Sequence, residues 1–307
     1  MNRSLLFLPL LAASCTTAVD EEASLAFAET VVEVPGFVDF LQVDGDTVWS
    51  TNEGRVEQWS REGKIATVEM PRPCGTMAME AGSLWVGNCE GGELYRIGPG
   101  TGQVLARIPA GIGPSGEQNV VGGAGAVWAP NQAAGTITRI DPATNSVTAE
   151  IAVAPGTTFL AYGSDALWAV SSAGGTLQRI DPASNTVTGT VELGDTPGFL
   201  AAGEGAVWVQ EQGDGTVARI DPETLAVIGR TKVGDNLKWG DIDTGEGKIW
   251  LRTTDEQTFV VIEAANGEIL ARVGRPEGSG AIRYTPEGIW TSAHDVDSIN
   301  WWALSGE

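Results

Sequence analysis

Seven tryptophans recur at a nearly constant interval along this 307-residue chain, and their spacing constrains the fold more than any other feature. The intervals between them are 36, 43, 40, 40, 42 and 40 residues. A period near 40 residues with four short strands in each period is typical of a β-propeller. The tryptophans are Trp49, Trp85, Trp128, Trp168, Trp208, Trp250 and Trp290.

The repeat itself contains strands and turns but no long helical pattern. Residues 125–155, 165–194 and 205–234 align almost residue for residue, with alternating apolar positions broken by Gly, Pro, Asn and Asp. Each copy has an Arg-Ile-Asp-Pro step, in which we interpret the Asp as a turn residue rather than a metal ligand. The repeated Arg139, Arg179 and Arg219 are likewise interpreted as structural. The aligned tryptophans are expected to pack between blades, whereas at least one of Trp239, Trp301 and Trp302 is expected to be exposed.

The two ends of the chain predict how the ring closes. The last repeat stops after 297–304, which supplies only its third strand, and residues 29–34 form an unassigned strand before the first repeat. Pairing these two segments completes the last blade and removes two exposed strand edges. The sequence therefore predicts an all-β, seven-bladed β-propeller whose last blade is closed by an N-terminal strand. Six or eight blades are the alternatives.

The N-terminal residues predict export. Residues 1–15 read MNRSLLFLPLLAASC, with one arginine, a short apolar core and small residues before Cys15. The apolar stretch is too short to span a bilayer, and the arrangement resembles a bacterial lipoprotein signal with Cys15 as the lipidated residue. Cleavage near Ala13 or Ser14 is the alternative. We expect 16–27 to be an acidic tether, 28–307 to be one propeller domain, and the location to be the periplasm or outer membrane.

The charge of the chain limits its partners. The 40 acidic residues outnumber the 18 lysines and arginines, giving a formal net charge of −22. Such a surface repels nucleic acids and anionic lipids, so contact with a membrane is expected only through the lipid anchor. We expect a monomer that binds a small molecule or an envelope protein, and the charge favours cationic ligands.

The cysteines predict one disulfide. If Ala81 and Gly82 form the turn of the second repeat, Cys74 falls directly opposite Cys89 on the neighbouring strand. Cysteines of an exported protein are oxidised, so a Cys74–Cys89 disulfide is favoured over a reactive thiol or a metal pair.

One end of the propeller is the candidate binding region. The residues at the ends of the tryptophan strands and at the starts of the inner strands differ from blade to blade while the frame stays constant, and a ligand is not sevenfold symmetric. An ordinary solvated loop face is the alternative. The predicted binding residues are Phe37, Glu53, Glu117, Gln132, Phe159, Phe199, Glu211, Trp239, Arg252, Arg283 and His294.

His294 is the only histidine, which excludes a site built from several histidines. Side chains of neighbouring strand residues point to opposite faces, so we expect His294 to pair with Glu53 across the closure rather than with Asp295. His294 and Glu53 are the catalytic candidates. A lone histidine near a loop is also a common structural residue. No resident metal or other cofactor is expected.

Short motifs carry a family resemblance over residues 29–304. The segments VWSTN (48–52), LWVGN (84–88) and VWAPN (127–131) precede T-x-x-R-I-D-P-x-[ST]-N steps. They resemble the YVTN-type β-propeller repeat proteins and the wider group that contains virginiamycin B lyase. The resemblance implies an exported propeller, and for the lyases a metal-assisted elimination that opens a cyclic depsipeptide with histidines and a glutamate of the last blades. In this chain only His294 could take the role of the lyase histidines. The glutamates of the last blades do not stand in a motif that matches the lyases; they are Glu263, Glu268, Glu277 and Glu287.

Together these observations predict an exported, lipid-anchored and non-catalytic propeller that binds a ligand or protein through one loop face. The alternative is a divalent-metal-dependent lyase resembling streptogramin lyase. A further alternative is a scaffold subunit of the cell envelope.

Overall fold

The computed structural model describes residues 25–113, 117–238 and 240–305, and these form a ring of seven four-stranded antiparallel sheets. First strands of consecutive blades contact each other all the way round, including those of the first and seventh blades. The predicted all-β, seven-bladed propeller is therefore confirmed. Among the described residues, no helix is long and apolar enough to cross a membrane.

The blades follow the chain in order. The first comprises β2 (Leu41–Asp44), β3 (Thr47–Asn52), β4 (Arg55–Ser60) and β5 (Gly63–Glu69). The second comprises β6 (Pro73–Glu80), β7 (Ser83–Asn88), β8 (Glu93–Gly98) and β9 (Gln103–Pro109). The third comprises β10 (Val121–Gly123), β11 (Ala126–Asn131), β12 (Thr136–Asp141) and β13 (Ser146–Ala152). The fourth comprises β14 (Thr157–Gly163), β15 (Ala166–Ser171), β16 (Thr176–Asp181) and β17 (Thr186–Glu192).

The remaining blades have the same order. The fifth comprises β18 (Pro197–Gly203), β19 (Ala206–Glu211), β20 (Thr216–Ile220) and β21 (Val227–Lys232). The sixth comprises β22 (Ile242–Gly245), β23 (Lys248–Arg252), β24 (Phe259–Glu263) and β25 (Ile269–Val273). The seventh comprises β26 (Ile282–Thr285), β27 (Gly288–Ala293), β28 (Ser298–Ser305) and the N-terminal β1 (Ala26–Glu33), with a short 3-10 helix at His294–Val296.

The N-terminal strand closes the ring as predicted. Strand β1 pairs antiparallel with β28, and Glu29 lies opposite Trp302. It begins at Ala26, so its first two residues come from the segment predicted as a tether. Cys15 and the rest of the predicted export signal lie outside the described residues.

The repeat tryptophans lie in the core between the blades. All seven are at most 1% exposed. In the second to sixth blades the indole N–H also donates to a carbonyl five residues earlier, as Trp168 does to Gly163 at 3.0 Å. Trp301 and Trp302 are 5% and 3% exposed, so neither is the exposed tryptophan that was expected. Trp239 lies outside the described residues.

In the second, third and fifth blades the arginine at the repeated position joins its blade to the next one. Arg139 stacks on Trp128 at 5.0 Å and donates to the carbonyl of Pro182 and to Asn185 Oδ1 in the outer turn of the following blade. Arg96 makes the same contacts one blade earlier. In these turns the carboxylate of the Asp-Pro step accepts backbone N–H bonds, as Asp181 does from Ala183 at 3.0 Å. Both residue types are structural, in agreement with the sequence interpretation.

Cys74 and Cys89 form the predicted disulfide, with Cα atoms 5.9 Å apart. The predicted register is wrong, because Cys74 lies opposite Gly87 and not opposite Cys89. The register shifts between Cys74 and Ala78. Gly75 lies in this interval with φ +71°, and a Cβ there would come within 1.8 Å of the Gln118 carbonyl oxygen. The irregularity accounts for the shift of two residues, and the sulfur atoms meet diagonally across the strands.

Candidate ligand-binding mouth

A pocket of about 410 Å³ opens on the loop face, the face on which the second strand of each blade ends. We call it the mouth pocket. It lies beside the first two blades and reaches across to the third. Its lining includes Phe37, Asp39, Phe40, Glu53, Arg72, Cys74 and Glu117.

The mouth pocket brings together several residues that the sequence predicted. Phe37, Glu53 and Glu117 line it, and the Phe37 ring is 50% exposed. The His294 ring stacks on Phe37 with centroids 4.0 Å apart and an interplanar angle of 18°. Residues from the first, third and seventh blades therefore lie close together at this end of the ring.

Burial changes the ionisation of two carboxyl groups in this pocket. Burial, together with the charges of Glu117, Asp241 and Asp295, raises the pKa of Asp39 to about 8. Burial, together with the charge of Asp241, raises the pKa of Glu117 to about 7. A positive charge bound near these two carboxyl groups would stabilise their ionised forms and so lower their raised pKa values.

Sequence reasoning missed Asp39, although a signal was present. Asp39 immediately precedes Phe40 at the start of the inner strand. The equivalent positions of the other blades are uncharged: Gly75, Gln118, Thr158, Gly198, Gly240 and Gly280. One acidic residue in a column of Gly, Gln and Thr is a departure from the repeat of the kind that marks a site.

The partner of His294 differs from the expected one. Its Nδ1 lies 2.6 Å from Asp295 Oδ1, and Glu53 lines the mouth pocket instead. The alternation rule does not apply here, because the chain leaves strand geometry after Ala293 and turns in the 3-10 helix His294–Val296. Two residues adjacent in sequence can therefore meet.

Glu211 belongs to the frame of the fifth blade rather than to the mouth. It is fully buried, and its carboxylate accepts bonds from Arg230 Nε at 2.8 Å and from the Gly194 N–H at 2.7 Å. Burial alone would raise the pKa of Glu211, but the hydrogen bonds from Arg230, Thr216 and Gly194 lower it below its ordinary value. We therefore leave Glu211 out of the candidate site.

Arg252 also lies away from the mouth surface. It is 1% exposed and donates to the backbone carbonyls of Thr258 at 2.8 Å and Ser292 at 3.2 Å. Burial lowers the pKa of Arg252 to about 10. Its guanidinium joins the sixth blade to the seventh, so we leave it out of the site as well.

Phe159 and Phe199 form part of a plug across the propeller axis. Phe40 of the first blade contacts Phe199 of the fifth at 5.9 Å, and Phe199 contacts Phe159 of the fourth at 4.6 Å between ring centroids. Because the first and fifth blades are not neighbours in the ring, the Phe40–Phe199 contact crosses the axis. We call these three residues the phenylalanine plug. Phe40 also forms part of the wall of the mouth pocket.

The other predicted residues lie around these features. Gln132 is partly exposed and close to Gly113, beside a gap in the described chain. Arg283 lies beyond the mouth pocket, in a second cavity along the axis, where it pairs with Asp241. Trp239 is not among the described residues.

The described residues do not provide a metal site. No group of three or more His, Cys, Asp or Glu side chains in this part of the chain is arranged to hold a metal ion. His294 approaches one carboxylate, that of Asp295, and stacks its ring on Phe37. The metal implied by the lyase resemblance is therefore not matched by a ligand set here.

Comparison with known proteins supports the fold and no finer assignment. No family model and no curated protein matches the sequence. Among solved structures, a streptogramin B lyase superposes with a TM-score of 0.79 at 17% identity, covering 92% of this chain and 98% of that one. A catalytically inactive histidine-to-alanine variant of virginiamycin B lyase from Staphylococcus aureus, with quinupristin, gives 0.75 at 18% identity, covering 91% and 100%.

A structure whose function is unrelated to that of the lyases superposes on this chain about equally well. A chain of a mitotic checkpoint complex superposes with a TM-score of 0.78 at 14% identity and covers 100% of both chains. The chain adopts a seven-bladed propeller fold with lyase-like structural neighbours. Since proteins of such different function share it at similar scores, the fold alone does not assign an activity.

Proposed function

We propose that this protein is an exported, non-catalytic binding protein whose mouth pocket takes a positively charged group of a small molecule or partner protein. The observation that carries the proposal is the convergence of three carboxyl groups, against the one guanidinium of Arg72, on a pocket beside the exposed Phe37. The carboxyl groups are those of Asp39, Glu53 and Glu117. Carboxylates in a partly dehydrated pocket attract cations strongly, and an aromatic face adds a cation–π contact. The formal charge of −22 favours the approach of such ligands.

A panel of blocked tripeptides tests this proposal. N-acetylated, C-amidated peptides with a central Arg or Lys are compared with the Glu counterpart by isothermal titration. We expect saturable binding of the Arg and Lys peptides only, and roughly tenfold weaker binding or more for Glu117→Gln, because one charge-assisted hydrogen bond is lost. Glu150→Gln removes the same charge from the exposed outer strand of the third blade and serves as the control. Equal binding of all three peptides, or equal losses in both variants, would contradict the proposal.

Export and lipid anchoring are part of the same proposal. They are supported by the leader-like residues 1–15 and by the Cys74–Cys89 disulfide, a bond typical of oxidising compartments. Detergent-phase partitioning of protein expressed in a bacterium tests the anchor. The full chain is expected in the detergent phase and Cys15→Ser in the aqueous phase. Recovery of both in the aqueous phase would eliminate the lipid anchor.

A second candidate is a lyase, favoured by the position of His294 at the mouth and by the lyase-like structural neighbours. Its test is incubation with quinupristin and a divalent cation, followed by mass spectrometry for the linear product. Ring opening that is lost in His294→Ala would favour the lyase over the binding protein. An intact ring in the presence of folded protein would exclude this activity towards quinupristin.

A further inference from the structure

A second cavity lies along the propeller axis. Its volume is about 300 Å³, and its walls are the inner strands of all seven blades. Phe40, Phe159 and Phe199, which form the plug, are not part of its lining. We call this cavity the axial channel. It is a different space from the mouth pocket, and no residue lines both.

The two sides of the axial channel differ in chemistry. Seven of its lining residues occupy one equivalent position, that of the inner-strand residue paired with the repeat tryptophan. In the second to fifth blades this residue is small and apolar: Ala78, Val121, Ala161 and Ala201. In the sixth, seventh and first blades it is Asp243, Arg283 and Gln42. The channel therefore has an apolar wall and a polar wall.

The polar wall carries one more carboxyl group than guanidinium group. Arg283 forms an ion pair with Asp241, which is 3% exposed and also lines the channel. Asp243 accepts the backbone N–H bonds of Thr244 and Tyr284, both at 2.9 Å, and has no ion-pair partner among the described residues. Burial raises the pKa of Asp243 above its ordinary value, and because the wall has one cation for two carboxyl groups, a further positive charge would stabilise the ionised form of Asp243.

An unsatisfied amide gives a second, independent indication of a ligand. Asn119 lines the channel and is 3% exposed. Its Nδ2 lies 3.5 Å from the Leu160 carbonyl oxygen, and within the described structure its Oδ1 has no hydrogen-bond partner. Buried polar atoms are normally bonded, so this oxygen calls for a donor from outside the chain.

We propose that the axial channel is a second binding site, for a small primary amine with an apolar body. The ammonium group pairs with the surplus carboxylate charge at Asp243, and Asn119 Oδ1 accepts an N–H bond. The apolar body packs against the wall of Ala78, Ala161 and Ala201, where small side chains leave room. This proposal does not depend on the function proposed for the mouth pocket.

Isobutylammonium and isobutyl alcohol are a matched pair of probes, alike in shape and different in charge. Titrations of the full protein are followed by ligand-observed NMR at neutral pH. We expect saturable binding of the amine and none of the alcohol. No saturation by the amine, or equal binding of the alcohol, would overturn the proposal.

Two variants assign the amine to the channel. Asp243→Asn keeps an oxygen for the Tyr284 N–H but removes the charge, and we expect roughly tenfold weaker amine binding or more. Ala201→Val fills the apolar wall without changing charge and is expected to weaken binding as well, which keeps the test open if Asp243→Asn does not fold. Glu150→Gln is the charge-matched control. Unchanged binding in folded Asp243→Asn and Ala201→Val, or the same loss in the control, would refute the channel site.

Discussion

The second to fifth blades differ from the sixth, seventh and first at the two positions paired with the repeat tryptophan. On the third strand the four regular blades have an arginine, whereas the other three have Val261, Trp301 and Gln58. On the inner strand the regular blades have small apolar residues, whereas the others have Asp243, Arg283 and Gln42. The regular blades thus form a repeated frame, and the divergent blades provide the polar wall of the channel.

The divergent blades are held together by different contacts. Tyr284 of the seventh blade stacks on Trp250 of the sixth at 5.4 Å, and Arg61 lies over Trp301 at 5.0 Å. Arg275 pairs with Glu29 of the closing strand at 3.0 Å. Aromatic, cation–π and ion-pair contacts therefore join these blades, while the third-strand arginine paired with the repeat tryptophan is confined to the regular blades.

Removing a repeat tryptophan is expected to have the largest effect on the frame. Trp168→Ala should lower the free energy of unfolding by about 3–5 kcal/mol, because a fully buried indole leaves a cavity. Urea denaturation followed by circular dichroism measures it. A loss below about 1 kcal/mol would mean that the frame does not depend on this packing.

Opening the disulfide should have the next largest effect. Cys74 and Cys89 are 15 residues apart, so Cys74→Ser/Cys89→Ser is expected to lose about 3 kcal/mol of stability through the freer unfolded chain. Because Cys74 also lines the mouth pocket, this variant changes the wall of that pocket as well as the second blade. Denaturation of the oxidised protein and of the double variant gives the difference. Equal stabilities would contradict the expectation.

The mouth carboxyl groups should make stability fall as the pH rises. Burial raises the pKa of Asp39 from 3.8 to about 8 and that of Glu117 from 4.5 to about 7, so the folded protein keeps protons that the unfolded chain has released. Between about pH 4 and pH 7, each group lowers the unfolding free energy by up to about 1.4 kcal/mol per pH unit. Asp39→Asn should flatten this profile and be more stable than the wild type at pH 8. A profile identical to that of the wild type would show that Asp39 ionises freely in the folded state.

The junction between the third and fourth blades should show the smallest effect. Asn185 has φ +56° and accepts a bond from Arg139 at 2.9 Å, whereas Leu225 occupies the equivalent place one blade later and Arg179 contacts Thr188 of its own blade instead. Asn185→Leu should cost about 1 kcal/mol, since a hydrogen bond and a residue suited to left-handed backbone are lost. Asn185→Asp, which keeps the acceptor, is the control. A loss of the same size in both variants would exclude the hydrogen bond as the cause.

The frame could be predicted from the sequence because it repeats. The tryptophan interval recurs in every blade and the Asp-Pro turn in three of them, and counting the strands of each repeat shows which segments pair to close the ring. The register around Cys74 could not be predicted, because one glycine at φ +71° shifts it. Phe37, Glu53 and Glu117, which the alignment grouped at one end of the propeller, line the mouth pocket.

Alignment could not show how deep a residue lies. Glu211 and Arg252 occupy variable positions in the repeat, yet both are buried and bonded within the frame. Asp39 lies one residue away from the aligned column that contains Glu117, so a comparison restricted to that column missed it. His294 was assigned the wrong partner, because strand alternation was extended into a 3-10 turn.

The pH dependence of binding shows whether the carboxyl groups of the mouth pocket hold a cationic ligand. The blocked arginine tripeptide keeps its charge between pH 6 and pH 9, so any change in affinity reports the protein carboxyl groups. We expect the affinity to increase from pH 6 to pH 9, as Asp39 and Glu117 lose their protons, and the increase to disappear in Asp39→Asn/Glu117→Gln. Affinity that is the same at both pH values, or an increase that persists in the double variant, would contradict this expectation.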